Sequence, residues 1–246
     1  MKKIFYFISS AALLISCGKE NTFSTNFSSA SFIHASPGTP AFEVFEDTAK
    51  KHGGSIALGT WSNYLGFVPG TKMTNIRRAD SLQRIFSGSF SYNLGQATTF
   101  VVYDTLVVGS GGGLSGSLRV ARLNDNLALP TAGRTHVRFA HVAQNAPAVD
   151  VTLVRVAGTP AVAIDSVTIS NRAYIGSSPS DAAITASSTF SSLPFGTYSV
   201  RVKLAGTQTL ARNPQNFTLV DGGIYTILAV GTARNVPLQA VAFRNL

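Results

Sequence analysis

The chain contains two diverged copies of one sequence pattern, and this repeat constrains its fold more than any other feature. Residues 32–44 recur as residues 139–151 at a constant offset of 107 (139 minus 32). The matched pairs are Phe32 and Phe139, His34 and His141, Pro40 and Pro147, Ala41 and Ala148, Glu43 and Asp150, and Val44 and Val151. Recurrence at a fixed offset indicates repeated structural units. We therefore predict one copy over residues 29–130 and a second over residues 131–246.

The second copy carries an insertion. Gly70 matches Gly196 at an offset of 126 (196 minus 70), so about 19 residues have been added between Pro160 and Ser192. This stretch is rich in Ser, Ala and Thr, a composition typical of exposed connections. The pattern predicts a long surface loop there.

Alternation of apolar and polar residues dominates both copies. Residues 198–204 and 90–94 alternate with period two, which indicates half-buried strands. Residues 100–103 and 224–230 are more continuously apolar, as expected for central strands. Short strands separated by Gly- and Pro-rich turns predict an all-β chain of two tandem Ig-like antiparallel β-sandwich domains. The one helical signal, a spacing near 3.6, covers residues 75–85.

The amino terminus has the features of an export signal. Lys2 and Lys3 precede a short apolar run, and the chain's one cysteine, Cys17, follows a small residue. Residues 14–17, Leu-Ile-Ser-Cys, resemble the bacterial lipoprotein signal. The resemblance implies cleavage after residue 16 and a lipid on Cys17, followed by a flexible tether over residues 17–28. The apolar run is too short to span a membrane. We therefore predict an outer-membrane lipoprotein on either the periplasmic or the surface-exposed face.

The charge balance is basic, with 20 Lys and Arg against 11 Asp and Glu and a net charge of +9. The basic residues are scattered, and no run of four occurs. We interpret them as the solvated faces of strands and predict no nucleic-acid partner. The residues considered are Arg77, Arg78, Arg119, Arg122, Arg134, Arg138, Arg155, Arg201 and Lys203.

Residues 137–151, Val-Arg-Phe-Ala-His-Val-Ala-Gln-Asn-Ala-Pro-Ala-Val-Asp-Val, resemble the opening of the bacterial family called domain of unknown function 4397. Residues 31–44 match this opening more loosely, and Leu-Pro-Phe-Gly-Thr-Tyr at residues 193–198 resembles a turn motif of the family. The resemblance implies a secreted or surface β-sandwich repeat, often on a lipoprotein. It implies no known activity.

The recurring motif of His34, Pro40 and Glu43, and of His141, Pro147 and Asp150, allows two interpretations. Two His/acid pairs could bind a metal or act as acid and base. Alternatively, each ring hydrogen-bonds a backbone carbonyl at the following turn, while the proline and the acid shape that turn. Retention in both copies of a scaffold favours the structural interpretation.

No motif indicates catalysis. The chain lacks a Gly-x-Ser-x-Gly elbow, a phosphate-loop ending and a His-Glu-x-x-His zinc motif. We predict a non-enzyme without cofactor or metal; a glycan hydrolase with a carboxylate pair stays open as an alternative.

Four Asp-(Ser/Thr)-apolar triplets resemble an O-glycosylation signal of exported proteins. The acceptors would be Thr48, Ser81, Thr105 and Ser166. The same triplets also suit strand ends and turns.

For function, we expect a surface module for binding or adhesion, with an envelope protein or a glycan as partner besides the membrane. Trp61 and Tyr64 are candidates for stacking on sugars, although either could pack in a core. The alternative is a structural spacer or envelope-assembly subunit without a ligand.

Overall fold

A computed structural model describes residues 26–109, 111, 113–157, 166–232 and 236–245. Within them nearly all regular structure is β-strand, so the predicted all-β class is confirmed. The first half contains β1 (Ser28–His34), β2 (Phe42–Glu46), β3 (Ala49–Lys50), β4 (Leu65–Phe67), β5 (Gly70–Arg78), β6 (Arg84–Tyr92), β7 (Ala97–Tyr103), β8 (Leu106–Val108), β9 (Leu114–Gly116) and β10 (Arg119–Asp125). The second half contains β11 (Arg134–His141), β12 (Val149–Ala157), β13 (Ser166–Arg172), α1 (Asp181–Ser188), β14 (Ser191–Pro194), β15 (Gly196–Leu204), β16 (Gln215–Leu219), β17 (Ile224–Thr232) and β18 (Val236–Arg244).

Each half builds two four-stranded sheets. In the first half, outer sheet 1 has the order β3-β2-β5-β6 and inner sheet 1 the order β10-β7-β1-β4. In the second half, inner sheet 2 has the order β14-β11-β17-β18 and outer sheet 2 the order β13-β12-β15-β16. Among the described residues, no sheet takes strands from both halves, and β8 and β9 form a small separate hairpin.

The inner sheets each contain one parallel pairing, which the sequence did not predict. β1 runs parallel to β7, from Ser29 opposite Ala97 to His34 opposite Val102. β11 runs parallel to β17 in the same way, and the remaining strand pairs are antiparallel. A parallel pair needs a long crossover connection, and here that connection passes through the outer sheet of the same half.

Three apolar layers hold the four sheets in a stack. One core lies between outer and inner sheet 1 and a second between inner and outer sheet 2. A third, the junction core, lies between the two inner sheets and contains Ile33, Ala35, Val101, Tyr103, Ala121, Leu123, Ala140, Val142, Ile175, Leu228, Val230 and Phe243. The division of the chain at residue 130 stays a prediction from the repeat, but the two halves share this continuous buried layer.

Burial on both faces explains the continuously apolar strands. Phe100 and Val102 of β7 point into the core of the first half, while Val101 and Tyr103 point into the junction core. The run in β17 alternates between the second core and the junction core in the same manner. A strand that is buried on both faces has no side exposed to solvent, so apolar and polar residues do not alternate along it.

The helical signal over residues 75–85 does not correspond to a helix. These residues form the end of β5, a turn and the start of β6. Ile76 points into the core and Ile85 packs against it, but Leu82 lies on the turn with φ of 56° and is exposed. The helical spacing is therefore a coincidence of two strands and their connection.

The predicted surface loop over residues 160–192 is also wrong where the structure describes it. β13 joins the edge of outer sheet 2, and α1 packs against β10 and β11. The Ser180 hydroxyl accepts a hydrogen bond from the Ala183 N–H and caps the helix. Tyr174, Ile175 and Ile184 contribute to the junction core, so the insertion helps to join the two halves.

Candidate functional site

The two repeated histidines are buried and occupy equivalent turns. His34 Nε2 lies 3.2 Å from the Thr39 carbonyl oxygen and 3.3 Å from that of Pro40, and its Nδ1 accepts from the Ser36 N–H at 3.3 Å. An Nδ1 that accepts leaves the proton on Nε2, so the neutral ring donates to the turn. The hydrogen bond to a backbone carbonyl expected from the sequence is present.

His141 repeats this arrangement in the second half. Its Nε2 lies 3.1 Å from the Pro147 carbonyl oxygen, and its Nδ1 accepts from the Ala143 N–H at 3.2 Å. Burial lowers the pKa of His34 to about 4 and lowers the pKa of His141 as well, against the opposing effect of the carbonyl acceptors. Both rings are therefore neutral parts of the scaffold near neutral pH.

The two acids of the motif have partners other than the histidines. Glu43 Oε1 lies 2.6 Å from Lys50 Nζ in an ion pair between β2 and β3. Asp150 Oδ1 accepts from the Asn171 N–H at 2.7 Å and Oδ2 from the Gly206 N–H at 2.9 Å, and these bonds lower its pKa. These contacts tie strands and turns together and do not form an acid–base pair with a ring.

The proposed glycosylation positions differ in accessibility. Thr48 and Ser81 are exposed at turns, and Ser166 is exposed at the start of β13. The Thr105 hydroxyl is buried, so a transferase cannot reach it in the folded chain. Asp47 has φ of 53° in a hairpin turn, a conformation that suits the alternative interpretation of these triplets as turn formers.

The aromatic residues nominated for sugar stacking lie at the junction between the halves. The Trp61 ring packs edge-on against the Phe243 ring, with centroids 5.3 Å apart. The Tyr64 hydroxyl donates to Asp125 Oδ2 at 2.7 Å. Their role is core packing and internal hydrogen bonding.

A buried ion pair connects the two inner sheets. Arg138 Nη2 of β11 lies 2.6 Å from Asp125 Oδ1 of β10, and both side chains have 0% exposure. The guanidinium also donates through Nε to Thr226 Oγ1 at 2.9 Å and through Nη1 to the Asn124 carbonyl at 3.1 Å. Its Cζ lies over the Phe190 ring, 4.7 Å from the ring centroid. The interpretation of this arginine as a solvated strand residue is therefore wrong.

Further hydrogen bonds close this arrangement into a network, the junction network, made of Tyr64, Thr99, Asp125, Arg138, Thr226 and Asn245. Thr99 Oγ1 donates to Asp125 Oδ2 at 2.8 Å. Thr226 Oγ1 donates to Asn245 Oδ1 at 2.7 Å, and Asn245 Nδ2 donates to the Tyr64 hydroxyl at 3.2 Å. Burial, followed by the nearby Asp125 charge, raises the pKa of Tyr64. The sequence offers one hint of the network, because Arg138 interrupts a mostly apolar stretch, but no local pattern identifies its partners.

A second polar cluster lies at the same junction. Asp104, with 2% side-chain exposure, accepts a hydrogen bond from the Tyr174 hydroxyl and lies 3.5 Å from Arg119 Nε. Burial raises the pKa of Asp104. The Tyr103 hydroxyl of β7 donates to the Gly176 carbonyl of the insertion at 2.9 Å. The insertion is therefore bonded to the end of β7 by Tyr103 and to the next residue, Asp104, by Tyr174.

We expect Tyr174→Phe to lower the free energy of unfolding by about 1–3 kcal/mol, because a buried carboxyl oxygen loses its donor. Urea denaturation of the parent and the variant measures the change. The matched control is Ser89→Ala on an exposed strand face, expected to change stability by less than about 0.5 kcal/mol. Equal effects of both substitutions would contradict a stabilising role for the Asp104–Tyr174 contact.

A cavity of about 180 Å³ lies between the ends of the second half's sheets, lined by Arg134, Ser166, Val167, Ser192, Leu193, Pro194 and Tyr198. It is smaller than the roughly 300–1,000 Å³ of sites for drug-sized ligands. Arg134 already donates to the Ser192 carbonyl at 2.9 Å.

Across the described ranges, no three His, Cys, Asp or Glu side chains gather in a way that could hold a metal ion. No helix within those ranges is long and apolar enough to cross a bilayer.

Comparison with solved structures gives weak similarities. The Bacillus anthracis TIE protein aligns at a TM-score of 0.24 with 11% identity, over 87% of this chain and 51% of that one. A leucine-rich repeat protein from Bacteroides thetaiotaomicron VPI-5482 aligns at 0.20 with 14% identity, over 87% of this chain and 26% of that one. The chain thus spans about half and about a quarter of these two proteins. Scores this low support no argument about fold or function.

Sequence comparison is more informative. No curated protein matches the chain. A family model described as "Domain of unknown function (DUF4397)" matches residues 28–152, from β1 into β12, and includes both histidine turns. The second half beyond residue 152 lies outside this match, so the count of two copies stays a prediction. Because the match covers just over half of the 246 residues, the chain belongs to the DUF4397 family.

Proposed function

We propose that the chain is a non-catalytic, lipid-anchored protein of the cell envelope that acts as a rigid spacer or assembly subunit. The observation that carries this proposal is the junction between the inner sheets, which combines an apolar core with a fully buried ion pair. Interfaces between domains of one chain are usually polar enough to permit relative motion, whereas a large apolar interface opposes it. Two β-sandwiches joined in this way hold a fixed distance between their outer faces.

The position of the insertion supports the same proposal. In the second half, Tyr174, Ile175 and Ile184 pack into the junction core and leave the insertion less free to act as an open recognition loop. Trp61 and Tyr64, the candidate sugar-stacking residues, are used in the same place. These residues stabilise the joint between the halves at the expense of exposed contact surface.

Rigidity can be measured with spin labels on the two outer sheets. Thr48→Cys and Thr218→Cys in one full-length chain place labels at exposed positions of the β2–β3 turn of outer sheet 1 and of β16 in outer sheet 2. The expected result is one narrow distance distribution. The reference width comes from Thr168→Cys with Thr218→Cys, both within outer sheet 2. A distribution across the junction that is much broader than this reference would contradict the proposal.

The anchor is tested at Cys17, which lies outside the residues that the structure describes. We expect Cys17→Ala to remove the acyl chains and to remove the protein from the outer-membrane fraction, because the thiol is the attachment point. Mass spectrometry and density fractionation measure the two effects. Ser16→Ala, which keeps a small residue before the cysteine, is the control and should stay acylated. Acyl chains persisting on Cys17→Ala would contradict the anchor.

Glycan binding is a second candidate, favoured by the outward face of outer sheet 2. Thr152 and Thr168 lie 3.1 Å apart through their hydroxyl oxygens, as do Thr197 and Thr218, and the exposed Arg201 is the register partner of Thr152. Hydroxyl rows beside a cation could hydrogen-bond an acidic sugar. Binding of the full chain to a glycan array that is lost in Arg201→Ala would favour this candidate, whereas no binding would favour the spacer.

A further inference from the structure

The strand β6 forms an open edge of outer sheet 1. Eight of its nine residues pair with β5 along one side, from Gly70 opposite Tyr92 to Arg77 opposite Arg84, and Ile85 lies at a shift in register. On the other side, no strand among the described residues pairs with it, and no further backbone hydrogen bond of residues 84–92 is found there. An unpaired strand edge is a template for another strand.

From residue 86 to residue 92 this edge lacks two of the features that normally prevent pairing with another chain, and its one irregularity is a register shift against β5 at Ile85. Folded proteins protect sheet edges with charged side chains, prolines or very short strands. Residues 85–92 contain neither a charged residue nor a proline. The equivalent edge of the second half, β16, has five residues and follows Arg212 and Pro214. The chain thus protects one of two related edges and leaves the other open.

The sequence of the open edge is complementary to itself. Residues 86–90 read Phe-Ser-Gly-Ser-Phe in either direction. Two antiparallel copies centred on Gly88 place Phe86 opposite the partner's Phe90 and Ser87 opposite the partner's Ser89. A two-fold interface requires this reciprocity, in which residue i contacts residue j and j contacts i. We infer that two copies of this chain associate by antiparallel pairing of β6 about Gly88.

The side chains of the edge favour this pairing. The Phe86 and Phe90 rings stack with centroids 6.2 Å apart, are half-buried, and pack against the core of the first half. A Cβ added at Gly88 would lie 2.9 Å from the Phe86 ring, so the rings close over this glycine. In the paired state each ring faces a ring of the other copy, which extends the core across the two-fold axis.

Charge permits the pairing at this edge and opposes it elsewhere. The chain carries a net charge of +9, so two copies repel each other at most orientations. In the register centred on Gly88 no charged residues face each other, because Arg84 lies opposite the partner's Tyr92. The neutral edge is therefore a surface on which a second copy can dock without opposing like charges.

The expected dimer is weak. Nine residues from each copy form the pairing, compared with about 20–30 residues on each side of a standard interface. Attachment of both copies to one membrane would raise their local concentration and favour the pair. The association is independent of the spacer proposal, because either could hold without the other.

Thiol cross-linking tests the register directly. Full-length chains carrying Ser87→Cys or Ser89→Cys are mixed in mild detergent and oxidised, with the parent chain reporting any link through Cys17. Directly opposite residues have Cα atoms about 4.5–5.5 Å apart, within disulfide range, whereas diagonal neighbours are about 7–8 Å apart. The mixture should therefore form several-fold more linked dimer than either variant alone. Equal amounts in the mixture and in the single variants would overturn the register.

Sedimentation of the full chain tests the association itself. The parent should show a mass that rises with concentration, and Ser87→Lys with Ser89→Lys should stay monomeric, because four lysines would then meet at the pairing. The matched control places lysines at Asn216 and Thr218 of β16 and should associate like the parent. Unfolding midpoints establish that each variant is folded. A monomeric parent at the highest soluble concentration would overturn the inference.

Discussion

Replacing Arg138 by alanine is expected to lower the free energy of unfolding by about 3–5 kcal/mol, because the buried Asp125 carboxylate would lose its counter-ion. Both side chains have 0% exposure, so water cannot replace the guanidinium without opening the junction. The substitution also removes donors to Thr226 and to the Asn124 carbonyl. Urea denaturation measures the loss, and both halves are expected to weaken together because the pair belongs to both inner sheets.

Two further variants establish the cause. Arg201→Ala removes an exposed arginine from β15 and should change stability by less than about 0.5 kcal/mol. Asp125→Leu combined with Arg138→Met removes both charges and should recover part of the loss, because no unpaired charge stays buried, although the Tyr64 and Thr99 hydroxyls lose their acceptor. If the double variant were less stable than Arg138→Ala, the cost would come from lost packing and not from an unpaired charge.

The second large effect is destabilisation in mild acid by the buried histidines. The unfolded chain binds a proton on His34 near pH 6.5, whereas burial lowers the pKa of the folded ring to about 4. Between these values the unfolded state binds more protons, so stability is present above pH 6.5 and falls as the pH drops. The slope is about 1.4 kcal/mol per pH unit, which gives about 3 kcal/mol across the window from His34. The lowered pKa of His141 adds to the effect with the same sign.

Unfolding curves at several pH values between 4 and 6.5 measure this slope. His34→Gln should flatten it, whatever its effect on stability at pH 7. Ser89→Ala, which changes no titratable group, is the control and should keep the parent slope. The raised pKa of Asp104 has the opposite effect on stability, because the folded state binds this proton more readily than the unfolded state as the pH falls. The contribution of His34 is therefore measured as the difference in slope between the parent and His34→Gln. Parallel curves for the parent and His34→Gln would contradict the prediction.

The predictions from sequence succeeded where a local pattern records a local environment. Alternation in residues 198–204 identified β15, and continuous apolar runs identified β7 and β17 as central strands. The hydrogen bonds of the histidine turns could also be predicted from sequence, because the ring and its carbonyl acceptor lie within six residues of each other. The helical signal over residues 75–85 was misleading, because an apolar spacing cannot distinguish a helix from a hairpin whose strands both contact the core.

The insertion and the junction network could not be predicted for a different reason. Their residues come from separate parts of the chain: Tyr174 reaches Asp104, and Arg138 reaches Asp125 and Thr226. Each residue alone has the spacing of an ordinary strand or loop residue. Its burial depends on the packing of one inner sheet against the other.

The sequence by itself determined the all-β class, the repeated motif and the expectation of a lipid at Cys17, since side-chain alternation and short motifs are properties of neighbouring residues. The tertiary structure alone decided that the two inner sheets share a core, that Arg138 is buried there and that β6 stays open at the edge. These features arise when strands distant in sequence exclude water together, and the free energy of that exclusion belongs to the assembled layers and not to any one segment.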